Sequence, residues 1–142
     1  MAGYQNILIP LDGSECSERA LAEGRSLAEA YHAAVTLMYV VSDPDFDCTM
    51  GAPIVATEGL KNDCAEAKEY LEKRAATFKQ PAKTTVQIGC VAKTIVKEAE
   101  RGEYDLIVMG SQGLGLPVRR FFLGSVTKRI LLDVKVPVLV VR

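Results

Sequence analysis

Gln5-Asn6-Ile7-Leu8-Ile9-Pro10-Leu11-Asp12-Gly13-Ser14 decides the fold. Its aliphatic centre lacks polar alternation, which reads as a strand buried on both faces. Asp12-Gly13-Ser14 is a turn signal, and Asp12 or Ser14 with Glu15 just behind it is a helix start. Outward from this point, Ala20, Leu21, Gly24, Leu27, Ala28 and Tyr31 recur at helical spacing. Val35-Thr36-Leu37-Met38-Tyr39-Val40-Val41 is again apolar on both faces. A two-sided strand, a helix and a second two-sided strand are the parts of a βαβ unit, so the class is α/β with a parallel sheet.

The pattern continues to the last residues. Residues 42–58 hold Asp43, Pro44, Asp45, Asp47, Gly51 and Pro53 and show no period; they read as a long loop of the kind that serves as a lid or mobile segment. Leu60, Cys64, Ala67, Leu71, Ala75 and Phe78 step by three and four and predict a second helix, with Pro81 beyond it. Thr84 to Ile88 predicts a third strand, Ala92 to Arg101 a third helix closed by Gly102, and Asp105 to Met109 a fourth strand. A glycine-rich segment follows, then a helix from Ser125 to Asp133 and a last strand from Val136 to Val141, where Pro137 fits an edge position. This strict alternation predicts one domain over residues 1–142, with helices on both faces of the sheet and right-handed crossovers.

Composition agrees. The 142 residues are 49% hydrophobic and 25% charged, enough to bury a core and unlike a disordered chain. Lys plus Arg number 17 and Asp plus Glu 18, so the net charge of -1 offers no bulk field for nucleic acid or an anionic membrane. No apolar run approaches the roughly 20 residues of a membrane span, and the first residues carry no signal-like pattern. The expected location is the cytoplasm. Cys16, Cys48, Cys64 and Cys90 form no C-x-x-C pair and His32 is the lone histidine, which argues against structural zinc. Cys64 and Cys90 are expected as buried free thiols, and no disulfide is expected in a chain of this kind. His32 is expected at the surface.

In an open parallel sheet, ligands bind beyond the carboxyl ends of the strands, where the strand order reverses. Those ends are Pro10-Leu11-Asp12, Val40-Val41 and Met109-Gly110. Gly110-Ser111-Gln112-Gly113, then Gly124-Ser125-Val126-Thr127, frame a segment suited to phosphate. Glycines let backbone N–H groups approach an anion, and a helix start adds free amides and the positive end of the helix dipole. Arg119 and Arg120 stand nearby, as phosphate ligands or as a solvated face. Neither a P-loop nor a dinucleotide fingerprint is present. On residues alone, a flexible loop with a helix cap remains the other reading, Asp12 or Ser125 serves equally as a plain cap, and the charged residues Glu66 to Lys73 read as a solvated helix face.

The chain resembles the universal stress protein family over essentially its whole length. The likeness runs through Ile7 to Ser14, Tyr39-Val40-Val41, Asp105 to Gly113, Leu123 to Thr127 and Val136 to Val141. The resemblance implies a Rossmann-like sheet of five parallel strands in the order 3-2-1-4-5, of the adenine nucleotide alpha hydrolase-like kind. The ATP-binding branch carries G-x2-G-x9-G-[ST]; Gly110, Gly113, Gly124 and Ser125 match it, although ten residues separate Gly113 from Gly124. The family's roles, carried across, put Asp12 at the ribose or adenine and Pro10, Leu11 and Val40 around the adenine. They put Met109 and Gly110 at the floor, and Gly113, Gly124, Ser125 and Val126 at the phosphates. The ligand implied is ATP, or ADP or AMP, with Mg2+ or Mn2+ arriving on the nucleotide.

The function so implied is a nucleotide-binding stress-response regulator with unidentified protein partners. A homodimer through the last strand is implied as well. The sequence offers no nucleophile–base pair, so little catalysis is expected; slow hydrolysis or autophosphorylation would use Ser111, Ser125 or Thr127. Two other readings stay open. One is a non-ATP-binding family member acting through dimerisation and partners, favoured by the longer glycine segment. The other is an ATP-pyrophosphatase or adenylate-forming enzyme, which the missing P-loop-like turn after the first strand disfavours.

Overall fold

The computed structural model describes residues 3–43, 57–114 and 122–142. Its elements follow in the order β1 (Asn6–Pro10), α1 (Glu15–Tyr31), β2 (Ala34–Ser42), α2 (Glu58–Ala75), β3 (Ala82–Gly89), α3 (Val91–Arg101), β4 (Leu106–Gly110), α4 (Ser125–Asp133) and β5 (Val138–Val141). The strands form one sheet in the order β3-β2-β1-β4-β5. Every neighbouring pair is parallel. This is the alternation read from the sequence, in the strand order that the resemblance implies.

The period-2 geometry of a strand explains the two apolar faces. Ile7 and Ile9 of β1, with Val35 and Leu37 of β2 and Val108 of β4, turn toward Ala20, Leu21 and Ala28 of α1 and Leu71 of α2. Leu8, Met38, Ile107 and Met109 turn the other way, toward Ile95 and Ala99 of α3 and Ile130 of α4. The sheet thus carries helices on both faces, and its central strands have no solvent face to alternate toward.

Element ends follow local chemistry. The Ser14 side chain accepts from Ser17 N–H and so caps α1, while Glu15 and Glu18 sit in the first turn, where the helix dipole favours acids. At its other end, His32 takes a left-handed conformation with φ 54 and donates its N–H to the Ala28 carbonyl. The single histidine is therefore an exposed helix terminator. Thr57 caps α2 by accepting from Leu60 N–H. Phe78 lies past the end of α2, yet it is buried and packs beneath the Arg25 guanidinium.

Asp105 stands outside β4, because its carboxylate accepts from Gln5 N–H at 2.8 Å and Asn6 N–H at 3.1 Å and so staples the start of β1. Pro137 likewise precedes β5, and its carbonyl accepts from Ile107 N–H. The expectation for the cysteines needs correction. Cys64 is a free thiol but only half-buried, and Cys90 is disulfide-bonded. Cys90 occupies the N-cap position of α3 at the rim of the sheet, where a side chain is not enclosed by the core. No helix among the described residues is long and apolar enough to cross a membrane.

Candidate functional site

Where β1 and β4 end, α1 and α4 begin, and the gap between them opens into a cavity of about 700 Å³. That volume suits a small-molecule ligand of nucleotide size. The ten residues to which the resemblance gives nucleotide contacts line it: Pro10, Leu11, Asp12, Val40, Met109, Gly110, Gly113, Gly124, Ser125 and Val126. Strand order brings them together. β1 and β4 are neighbours at the centre of the sheet, and β2 continues past β1 on the other side.

The β1–β2 register ends at Pro10 and Met38, followed by a bond from Leu11 N–H to the Met38 carbonyl. Val40 lies two residues farther along the same edge of β2. Among the described residues no strand covers that edge, so its N–H and C=O face the cavity mouth. Asp12 is held by its own turn: Oδ1 accepts from Ser14 N–H at 2.9 Å. Its second oxygen faces Gly113, 3.0 Å from where a Cβ on that glycine would stand.

The floor is tight. A Cβ on Gly110 would come within 2.8 Å of the Cys16 carbonyl carbon and 2.9 Å of Ser17 N, so only glycine lets the end of β4 lie against the first turn of α1. Beyond it, Gly124 N–H donates to the Ser111 carbonyl at 2.8 Å, and Thr127 Oγ1 donates to the Gly110 carbonyl at 2.9 Å. These bonds hold the start of α4 against the end of β4. Gly124 is the N-cap of α4 and provides no side-chain cap, so the first-turn amides carry the partial positive charge of the helix unmasked. A pair of glycines, an uncapped helix start and a rigid floor can hold an anion by backbone donors alone.

The remaining wall comes from α2, which sequence reasoning missed. Asp63, Glu66 and Tyr70 line the cavity at steps of three and four along the helix. Glu66 is exposed, as a solvated helix face requires, and borders the cavity as well; its spacing from Asp63 and Tyr70 is the signal available in the sequence. Tyr70 donates its hydroxyl to Glu18, whose carboxylate also accepts from Arg74 Nε at 3.1 Å. Burial alone would raise the Glu18 carboxyl, but the bonds from Tyr70 and Arg74 outweigh it and hold it below its ordinary range. Burial, and then the bond to Glu18, push the Tyr70 hydroxyl well above its usual value. Tyr39 packs edge-on to Tyr70 with ring centroids 6.0 Å apart. Its hydroxyl is raised by burial first and then by the charges of Asp12 and Asp63.

Of the hydroxyls named as acceptors, Thr127 is committed to Gly110, and Ser111 is buried with its Oγ 3.8 Å from Cys16 Sγ. Ser125 is exposed. Among the described residues no group of three His, Cys, Asp or Glu side chains is arranged to hold a metal ion. Arg119, Arg120, Cys48 and most of the segment 42–58 lie outside the described residues.

Known proteins match this chain in sequence and fold. The sequence model of the universal stress protein family matches residues 3–142. A universal stress protein of Methanocaldococcus jannaschii is 36% identical over 145 residues, covering 98% of this chain and 82% of that protein. The solved structure of the universal stress protein UspA from Lactobacillus plantarum superposes with a TM-score of 0.85 at 33% identity, covering all of both chains. A crystal structure of a universal stress protein in complex with cAMP shares the fold, with a TM-score of 0.69 at 24% identity over 98% of this chain and 97% of that one.

Proposed function

The chain belongs to the universal stress protein family, and we propose that it is a cytoplasmic stress-response regulator that binds an adenine nucleotide in the cleft between β1 and β4. One observation carries this reading: the residues of three strand ends and one helix start to which the resemblance gives nucleotide contacts line a single cavity of nucleotide size. The cAMP complex of a protein of the same fold supports the ligand class. ATP, ADP or AMP would place its phosphates at Gly113, Gly124, Ser125 and Val126, its ribose near Asp12, and its base between Pro10, Leu11 and Val40. Met109 and Gly110 would form the floor. Mg2+ or Mn2+ would arrive coordinated by the phosphates. Binding would shift shape or partner affinity; if a phosphoryl group is transferred to the chain itself, Ser125 is the exposed acceptor.

The test is chemical. Freshly purified protein is denatured, and the released small molecules are identified by chromatography, followed by calorimetric titration with ATP and magnesium. An adenine nucleotide in the supernatant, or saturable binding, supports the reading. No nucleotide and no binding heat would assign the chain to the branch that works through dimerisation and partners.

A homodimer belongs to the proposal in either case. β5 is the last strand of the sheet, and its outer edge, unpaired among the described residues, is a template for a second strand. Leu139 on β5 and Leu132 on α4 are 39% and 82% exposed, apolar side chains that a second copy would cover.

A further inference from the structure

We propose that Gln112 is the positioning residue of the phosphate cradle, its side-chain amide tying together the two arms of the glycine-rich segment. This role rests on the nucleotide reading above. Gln112 is 4% exposed, although the next two residues, Gly113 and Leu114, lie at the surface. A buried primary amide costs stability unless it is hydrogen-bonded. Its Nε2 donates to the Phe122 carbonyl at 3.0 Å, across ten residues of sequence. Phe122 lies on the arm that leads into Gly124 and the first turn of α4.

The bond is part of a small frame. Ser111 N–H donates to the Val141 carbonyl at 2.8 Å, and the Ser111 carbonyl accepts from Gly124 N–H at the same distance. The Ser14 hydroxyl, which caps α1, reaches the Gln112 carbonyl at 3.5 Å. Residues 111 and 112 therefore meet the start of α1, the arm before α4 and the end of β5. The glycines beside them contribute no side-chain packing. Gln112 is the side chain on the β4 side that reaches the opposite arm. Donors act best on an anion when they are fixed before it arrives, because no reorganisation is then required on binding. Gln112 supplies that fixation for the first-turn N–H groups of Ser125 and Val126, the N–H of Gly124 being already given to the Ser111 carbonyl. The adenine end of the cavity, at Pro10 and Val40, does not depend on it.

This division gives the role a signature that general destabilisation lacks: the loss on mutation grows with phosphate. Adenosine, AMP and magnesium ATP are titrated calorimetrically into the wild type, Gln112→Met and Gln112→Glu. The first variant keeps the length and loses the donor; the second keeps the shape and sets a carboxylate against the Phe122 carbonyl. Thermal melting of each apo protein is recorded alongside. ATP affinity is expected to fall roughly tenfold in Gln112→Met, the scale of one lost hydrogen bond, with adenosine changed less than twofold. A fall at least as large is expected in Gln112→Glu. Equal losses for adenosine and ATP, or no loss for ATP in either folded variant, would overturn the role while the nucleotide reading stands. A wild type that binds none of the three would remove the nucleotide reading itself, and this role with it.

Discussion

The Oδ2 oxygen of Asp12, at the end of β1, faces Gly113 across the cleft, 3.0 Å from the point a Cβ on that glycine would occupy. Residues a hundred positions apart in sequence thus share one wall because β1 and β4 are neighbours. Gly113 is exposed, and among the described residues Asp12 is the one neighbour such a Cβ would crowd, so a larger side chain there disturbs the site and not the core. Gly113→Val is expected to weaken nucleotide binding at least roughly tenfold while stability changes by less than about 1 kcal/mol. Calorimetry and chemical denaturation of the same preparation check both halves.

Gly110 predicts the opposite division. Its neighbours are the Cys16 backbone and Cβ and the Ser17 backbone nitrogen, which cannot give way without moving the start of α1. Gly110→Ala is expected to destabilise the fold by about 1–3 kcal/mol through overpacking. Urea denaturation measures it. A midpoint equal to that of the wild type would mean that α1 and β4 are not in tight contact at this point.

Much of this was legible in the sequence, for identifiable reasons. Ile7-Leu8-Ile9 and Leu106-Ile107-Val108 carry no polar alternation because helices cover both faces, and the turn at Asp12-Gly13-Ser14 marks a helix start by its chemistry. The strand-end residues that line the cavity were legible because a parallel sheet opens its clefts at strand ends, whereas the roles proposed for them come from the resemblance. What escaped depends on tertiary contact. Asp63 and Tyr70 look like ordinary helix-surface residues until α2 is laid over β2 and β3. Gln112 and Thr127 gain meaning only from carbonyls ten and seventeen residues away. Phe78 follows the helical period of α2, yet it is buried beyond the end of that helix.

Acid should loosen the fold through Glu98. Burial would raise this carboxyl, but bonds from Gln87, Tyr104 and Arg101 outweigh it and hold it below its ordinary range. A carboxyl depressed in the folded state contributes stability above its unfolded pKa of about 4.3, and that contribution is lost as pH falls through the folded value. Stability of the wild type is therefore expected to decline below roughly pH 5. Glu98→Gln is expected to be less stable at pH 7 and to show a flatter acid limb. Denaturation midpoints from pH 7 to pH 3 decide it; parallel curves for the two proteins would contradict the network's role.

The exposed leucines predict the state of assembly. Light scattering after size exclusion is expected to give twice the chain mass for the wild type and the chain mass for Leu132→Asp combined with Leu139→Lys. A wild type that runs as a monomer at high concentration would contradict pairing through β5.

The central claim is that an adenine nucleotide occupies the cleft between β1 and β4. Backbone amide NMR spectra recorded as magnesium ATP is added test it most directly. The account predicts saturable shifts concentrated at Asp12, Val40, Gly110, Gly113, Gly124, Ser125 and Val126, with β3 and the last turn of α2 little changed. No shifts at saturating nucleotide, or shifts confined to another face of the sheet, would contradict it.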